Sequence, residues 1–185
     1  MSVFNRIRLK SPSKKPFTIA VTAAGLCLIF LALVVALNNR NQVVGLNQEI
    51  EYNDFGISVQ KARKTSSLGS GVNKREALGV YCVVTVKVAN HAEAVDSVFN
   101  NETLILIDVD GRQYHISAEG QDALESEAGY TDPCSTPILA GKECVTEVVF
   151  DIGASVSDLR MKISDGTPLG DIIDVIHKKR IKIDL

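Results

Sequence analysis

Apolar and polar residues alternate with a period of two along much of the chain beyond residue 50. One run places Phe55, Ile57 and Val59 on the same face, and a longer one extends from Val80 to Val88. Because successive side chains of a β-strand point to opposite faces of its sheet, this alternation predicts strands that each bury one face. The alternating segments are 55–60, 80–88, 104–109, 114–116, 144–150, 159–163 and 181–185.

Turn residues separate these segments, and helical signals are weak. Asp110-Gly111 and Asp165-Gly166 are dipeptides typical of tight turns, and residues 65–73 read as a loop of Gly, Ser and Asn. Only 117–128 has a weak helical pattern, which Gly120 interrupts. Short strands without crossover helices predict an all-β fold built as an antiparallel β-sandwich. A small barrel is the alternative, and a parallel α/β sheet is excluded.

The segment from Phe17 to Leu37 differs from everything that follows it. Eighteen of its 21 residues are apolar and none is charged. At about 1.5 Å per residue, a helix of this length spans about 31 Å, close to the ~30 Å hydrocarbon core of a bilayer. The pattern therefore predicts a single N-terminal transmembrane helix.

Charge is distributed unevenly, although the formal net charge of the whole chain is only -2. Residues 1–16 carry five basic residues and no acid, whereas residues 38–185 hold the other 15 Lys and Arg and all 22 Asp and Glu. By the positive-inside rule, we expect the N-terminus to stay in the cytoplasm and residues 38–185 to be extracytoplasmic, in the cell envelope or at the surface. The basic residues that set this topology are Arg6, Arg8, Lys10, Lys14 and Lys15.

The predicted organisation has four parts: a cytoplasmic tail at 1–16, a signal anchor at 17–37, a linker at 38–47 and a sandwich domain at 48–185. The apolar run exceeds the roughly 7–15 residues of a signal-peptide core, which favours a retained anchor. Cleavage after Ala36 would instead yield a secreted protein. Lipidation at Cys27 is disfavoured, because Leu26 stands where a small residue is required.

The order of strands and turns carries a resemblance to a known family. The stretches YCVVTVKVAN at 81–90, LIDVDGRQY at 106–114, and LAGK at 139–142 before VVFD at 148–151 resemble bacterial telokin-like immunoglobulin-type domains of uncharacterised function. The resemblance covers 48–185 and implies an immunoglobulin-like β-sandwich behind an N-terminal membrane anchor. It transfers no catalytic residues, and the common Pro-Gly of the family is Ala140-Gly141 here.

Three cysteines lie in the predicted exported part, where an oxidising compartment favours disulfides. Cys134 and Cys144 flank a turn, and their spacing suits a bond between a loop and the following strand. Cys82 falls on the apolar face of its strand and is expected to be a buried thiol. A Cys82–Cys144 bond and the absence of any bond are the alternatives.

One fragment resembles a zinc-deaminase signature but lacks a ligand. His91-Ala92-Glu93 with Pro133-Cys134 follows the order H-x-E…P-C-x-x-C, yet Pro137 occupies the position of the second cysteine. Two protein ligands remain where catalytic zinc needs three. No zinc site is predicted.

A second fragment resembles the start of a calcium loop. Asp108 and Asp110 have the right spacing, but Gln113 replaces the glycine that the loop requires and Arg112 occupies a ligand position. A β-hairpin turn accounts for Asp110-Gly111 equally well. We therefore predict no metal and no cofactor, although weak binding of cations by surface acids stays open.

Few residues suit nucleophilic catalysis. The chain has three histidines, His91, His115 and His177. We expect His115 and Ser117 to share one strand face, but no third member of a triad is evident. Residues 93–151 contain 13 acids and two bases, which reads as a solvated surface or as an attraction for a basic partner. The basic stretch 177–183 reads as a guarded terminal edge strand or as a contact for anionic polymers.

Two classes of function follow from this reading. The first is a non-enzymatic, membrane-anchored extracytoplasmic module whose loops, such as 65–73, 90–101 and 118–132, bind a protein or an envelope polymer. The second is a cell-envelope enzyme that uses paired carboxylates. We expect the first, with no catalytic residues and no nucleic-acid partner.

Overall fold

The computed structural model of the protein describes residues 42–127, 130, 132–164, 179–183 and 185. Within these residues the chain forms nine strands and one α-helix. The strands are β1 (Gln42–Val44), β2 (Ile50–Tyr52), β3 (Phe55–Leu68), β4 (Arg75–Asn90), β5 (Leu104–Asp108), β6 (Gln113–Tyr114), β7 (Glu143–Ile152), β8 (Leu159–Ile163) and β9 (Lys179–Ile183). The helix α1 spans Ala118–Glu125, and 3₁₀ turns span Gly71–Asn73 and Asn101–Thr103.

The strands form two sheets, which confirms the predicted all-β sandwich. One sheet has the order β1-β9-β8-β5-β6 and the other has the order β2-β3-β4-β7. All pairs are antiparallel except β1 with β9, which is parallel and aligns Gln42 with Lys179. The expectation of a purely antiparallel sandwich is therefore wrong at this edge, because distant parts of the chain pair there without a hairpin.

The buried core confirms the alternation read from the sequence. Alternate residues of β3, β4, β5, β7, β8 and β9 point between the sheets and are almost fully buried. The inward residues include Ile57, Val59, Cys82, Val84, Val86, Val88, Leu104, Leu106, Val148, Phe150, Leu159, Met161, Ile163, Ile181 and Ile183.

The central strand β4 is buried on both faces. Its other face carries Tyr81 and Val83, which form a second apolar cluster with Leu68, Leu124 and Val149. Helix α1 covers this cluster. Gly120 does not interrupt the helix, contrary to expectation, but allows it to approach closely: a Cβ there would lie 2.7 Å from Cγ1 of Val149.

The segment around α1 also covers the free edge of β7. The backbone N–H of Ser117 donates to the carbonyl of Val149 (2.8 Å). The Gln121 amide donates to the carbonyl of Glu147 (3.1 Å) and accepts from the N–H of Val149 (3.1 Å). The Tyr130 hydroxyl adds bonds to the backbone of Glu147. These contacts satisfy backbone groups that an open edge would offer to another chain.

The two ends of the sandwich differ. At one end, here called the turn end, lie the β3–β4 turn, the β5–β6 turn and the β7–β8 connection. The opposite end, here called the entry end, contains the start of β1 at Gln42, the start of β5 at Leu104 and the end of β4 at Asn90. Within the five-stranded sheet, the registers place Gln42 at the same end as Leu104, because Leu104 pairs with Ile163 and the parallel β1 starts at the same level.

Several sequence predictions fall at or beyond the described residues. The basic tail 1–16, the anchor 17–37 and Cys27 lie outside them. In the part of the chain that the structure describes, no helix is long and apolar enough to cross a membrane. The predicted linker 38–47 contains β1, so the sheet structure begins at Gln42, six residues before the expected boundary. Strand β3 likewise continues to Leu68, into the segment read as a loop.

Replacing Gly120 with alanine should destabilise the domain. Alanine favours a helix by about 1 kcal/mol over glycine, but the new Cβ would collide with buried Val149 and Tyr81, and such overpacking costs about 1–3 kcal/mol. We expect a net loss in the free energy of unfolding, measured by urea denaturation. Gly45→Ala is the matched control, since a Cβ at Gly45 meets nothing within 4 Å. Equal or greater stability of Gly120→Ala would contradict the close packing.

Candidate functional site

Two loops at the entry end are held together as one rigid unit. Residues 91–101 follow β4 and residues 132–142 precede β7. Ser97 and Ile138 form an antiparallel bridge between them, with N···O distances of 3.1 and 2.9 Å. The Asp96 carboxylate accepts a bond from the backbone N–H of Ala140 (3.0 Å). The pair therefore resembles a short additional ribbon more than two free loops.

A buried asparagine anchors this unit to the sheet. The Asn90 amide donates to the carbonyls of Val95 and Ile138, both at 2.8 Å. Its side-chain oxygen accepts from the N–H of Ala92 (3.0 Å). Its backbone N–H donates to the carbonyl of Lys142 (2.8 Å). Only 1% of the Asn90 surface is exposed, and both polar atoms of its side chain are hydrogen-bonded. Asn90 therefore has a structural role.

A disulfide closes the second loop. The structure joins Cys134 to Cys144, with their Cα atoms 5.6 Å apart. Cys134 is buried, and Cys144 lies in β7 beside Val88 of β4. The bond therefore ties residues 132–142 to the four-stranded sheet. Cys82 is free and buried in the core, so it takes no part in a disulfide in the structure.

Burial also makes the Cys82 thiol unreactive. Desolvation in the core raises the pKa of Cys82 to about 11, and the opposing charge of Lys64 offsets only part of this effect. The thiolate, which is the reactive form, is scarce at neutral pH.

Three apolar side chains project from the rigid unit into solvent. Val95, Val98 and Leu139 are each more than half exposed. We call these three residues the platform. Val98 and Leu139 each follow a member of the Ser97–Ile138 bridge, so the backbone positions them on neighbouring strands of the ribbon. A preordered group of exposed apolar side chains is a typical binding surface.

A cleft of about 480 Å³ opens where the chain after β6 leaves the five-stranded sheet. Ile116 pairs with Phe150 of the opposite sheet, so it no longer borders β5. Ile105, Ile116 and Ala118 line the cleft together with polar residues of the 3₁₀ turn and α1. The segment Asn100–Thr103 connects this cleft with the loop that carries the platform.

Most polar groups in the cleft already serve the fold. The Asn100 side chain accepts from the N–H of Glu102, and the Thr103 hydroxyl donates to the carbonyl of Asn100. Gln121 is bonded to β7. Glu102, His115 and Asp122 line the cleft with exposed side chains. Glu102 and Asp122 give the cleft an acidic rim.

The structure separates the residues of the zinc-deaminase fragment. Cys134 forms a disulfide with Cys144, so its sulfur is not free to bind a metal. His91 is hydrogen-bonded to Glu49, with Nε2 and Oε1 2.8 Å apart. Among the described residues, no group of three His, Cys, Asp or Glu side chains is arranged to hold a metal.

The calcium-like fragment is a hairpin turn. The Asp108 carboxylate accepts from the N–H of Arg112 and the hydroxyl of Tyr114, both at 2.9 Å. Gly111 has φ +82°, a left-handed conformation that favours glycine in tight turns. Burial alone would raise the pKa of Asp108, but the hydrogen bonds from Arg112 and Tyr114 lower it overall.

Two other sequence readings are corrected. His115 and Ser117 do not share a strand face, because Ser117 is the N-cap of α1 and accepts from the N–H of Gly120. Strand β9 is not a guarded edge strand but lies between β1 and β8. Ile181 and Ile183 are therefore buried, while His177 and Lys178 lie outside the described residues.

A comparison with protein families identifies the domain. A family model described as a domain of unknown function, DUF4352, matches residues 44–172, which is more than half of the chain. The chain belongs to the DUF4352 family. No curated protein matches the chain.

Three solved structures of bacterial proteins are similar in fold to this DUF4352 protein. A conserved hypothetical protein of Bacillus anthracis has a TM-score of 0.53 at 14% identity, covering 66% of this chain and 91% of its own. The yjhA protein of Bacillus subtilis has a TM-score of 0.51 at 12% identity, covering 76% and 98%. The secreted protein MPT63 of Mycobacterium tuberculosis has a TM-score of 0.50 at 14% identity, covering 79% and 98%. At such identities the likeness shows the fold alone.

The sequence predicted the loop 90–101, which contains Val95 and Val98, as a binding loop, but it did not group these residues with Leu139. Val95, Val98 and Leu139 lie in segments without periodic alternation, so no pattern singled them out. Asn90 ends a strand and belongs both to the family stretch 81–90 and to the predicted loop 90–101, and neither pattern marks it as buried. Its burial depends on the return of residues 137–142, a long-range contact that local sequence does not reveal.

Removing the disulfide should weaken this DUF4352 domain measurably. In the chain-entropy view, opening a loop of this length costs about 2.5–3 kcal/mol of unfolding free energy. Cys134→Ala with Cys144→Ala should show this loss in urea denaturation, and reduction of the wild-type protein should reproduce it. Cys82→Ala is the control that keeps the bond. If peptide mapping without reductant found free thiols at Cys134 and Cys144 in protein from its native compartment, the bond would be refuted.

Proposed function

We propose that this DUF4352 protein is a membrane-anchored extracytoplasmic binding module. Residues 17–37 would anchor it, with the basic tail 1–16 in the cytoplasm and the β-sandwich outside. The sandwich would be of the telokin-like immunoglobulin type that the sequence resembles. No cofactor and no catalytic residue are part of the proposal.

The platform is the observation that carries this proposal. Val95, Val98 and Leu139 are exposed on loops that a buried asparagine, a bridge and a disulfide hold in place. Exposed apolar side chains lower solubility and often mark an interaction surface. Because these loops are already held in place, little conformational entropy is lost on binding. The disulfide further supports an oxidising, extracytoplasmic compartment.

The chemistry of the platform favours a protein over an envelope polymer as the partner. Three aliphatic side chains offer little to a hydrophilic polymer, whereas the cores of protein interfaces are apolar with a polar rim. The acidic rim of the adjacent cleft, with Glu102 and Asp122, supplies such a polar margin. The proposed partner therefore presents an apolar surface bordered by basic side chains.

The enzyme alternative has weaker support. Glu102 and Asp122 line the same cleft, but both side chains are exposed. A carboxyl group that acts as a general acid near neutral pH is normally desolvated. The cleft of the described residues therefore suits recognition better than glycoside hydrolysis.

Retention of the anchor can be tested directly. We expect the protein to stay in the membrane fraction after alkaline carbonate extraction, because a helix of about 20 apolar residues inserts stably. Sequencing the mature N-terminus should find no cleavage after Ala36. A mature chain that starts at Leu37 would refute the anchor and favour a secreted module.

Charge placed on the platform should abolish partner binding. Val98→Asp with Leu139→Asp should reduce recovery of a cross-linked partner from intact membranes by about tenfold or more, since a charge in an apolar contact costs at least about 1.4 kcal/mol. Val109→Asp is the matched control, because Val109 is at least as exposed as Val98 and Leu139 but lies at the turn end.

Folding must be monitored in both variants by circular dichroism. Equal partner recovery from the platform variant and the Val109 control would exclude the platform as the binding surface. Turnover of an envelope substrate that is lost in Glu102→Gln would favour the enzyme alternative.

A further inference from the structure

The β3–β4 hairpin at the turn end is strongly basic. Residues 61–75 contain five basic residues and no acid, while residues 38–185 as a whole are net acidic. We call residues 61–78 the basic hairpin. Its basic residues are Lys61, Arg63, Lys64, Lys74 and Arg75.

Two exposed apolar side chains belong to the basic hairpin, Val72 in its turn and Leu78 in β4. Val72 is 91% exposed and Leu78 is fully exposed, and they are the two most exposed large hydrophobic residues of the described chain. The backbone holds them in place. The Asp151 carboxylate accepts from the N–H groups of Leu78 (2.7 Å) and Gly79 (3.0 Å). The Arg75 guanidinium donates to the carbonyls of Val72 and Lys74.

The positive charge of the tip is only partly balanced within the chain. Arg75 bonds to carbonyl oxygens, which carry no formal charge. Lys74 pairs with Glu76 at 3.2 Å, but both side chains are at least half exposed, and such pairs contribute little. The hairpin therefore retains charge for an acidic partner.

An acidic surface lies beside the hairpin in the same molecule. Leu68, next to the turn, packs against Leu124 of α1, and the Gly69 N–H donates to the Glu127 carboxylate (3.1 Å). Exposed acids on α1 are Glu119, Asp122 and Glu125. We call these three the acidic face. Neighbouring patches of opposite charge are self-complementary under a two-fold axis.

We propose that the basic hairpin of one copy docks on the acidic face of a second copy of this chain, forming a two-fold dimer with two equivalent contacts. Each contact joins Lys74 and Arg75 of one copy with the acids of α1 in the other and removes Val72 and Leu78 from water. An anionic bilayer fits this surface less well, because the acidic face beside the hairpin would be repelled by lipid phosphates. The inference does not rest on the proposed function, although Asp122 belongs both to the acidic face and to the rim of the cleft.

Mixed-isotope photo-cross-linking of the full chain tests the dimer. A photoreactive phenylalanine analogue replaces Val72, and ¹⁵N-labelled and unlabelled chains are mixed in a neutral detergent. We expect cross-linked peptides that join position 72 of one isotope to α1 of the other, with a yield that falls as salt screens the charges. The same probe at Val109, also exposed at the turn end, should give few mixed products.

Charge reversal makes the test specific. Lys74→Glu with Arg75→Glu should lower the yield of mixed cross-links about tenfold, as should Glu119→Lys with Glu125→Lys. Mixing these two variants should restore the yield, because every contact then pairs opposite charges. A merely misfolded variant would not be rescued in this way.

Two outcomes would overturn the proposal. Cross-links that join only peptides of the same isotope would show that no second copy binds. Sedimentation with phosphatidylglycerol vesicles that depends on Val72 and Lys74, without mixed-isotope products, would assign the hairpin to a lipid surface instead.

Discussion

Burial of β4 on both faces is the constraint on which the rest of the structure depends. One face of the strand contributes Cys82, Val84, Val86 and Val88 to the space between the sheets. The other face carries Tyr81, which would lie in water without α1. The helix must therefore lie on the outer surface of this sheet, and Gly120 permits the short distance that this packing needs.

Placing α1 there decides how the neighbouring elements are arranged. The chain after β6 crosses from β5 to β7, as the contact between Ile116 and Phe150 shows, and this crossing opens the cleft. The same crossing brings Ser117 and Gln121 to the edge of β7 and satisfies its backbone. A cleft and a protected edge are thus two results of one chain path.

Sequence alone predicted the fold class and most inward-facing residues, because alternation records burial on one face of a strand. It failed where long-range pairing overrides local signals. Strand β1 has three residues, too few to alternate, and exists because it pairs with β9. The candidate site was harder to predict from the sequence than the fold. The hydrogen bonds of Asn90 form only when three separate segments meet. The exposure of Val95, Val98 and Leu139 is a property of the folded surface and follows no pattern along the chain.

Exposed apolar residues occur at both ends of the sandwich, and the charged residues near them differ in sign. At the entry end, a disulfide and a buried asparagine hold aliphatic side chains beside acids of the cleft. At the turn end, hydrogen bonds to Asp151 and from Arg75 fix the backbone of the basic hairpin at Leu78 and Val72. In both places backbone hydrogen bonds fix the apolar groups before any partner arrives, so little conformational entropy is lost on contact. Under the two proposals, the sign of the surrounding charge would select the partner, basic beside the cleft and acidic at the hairpin.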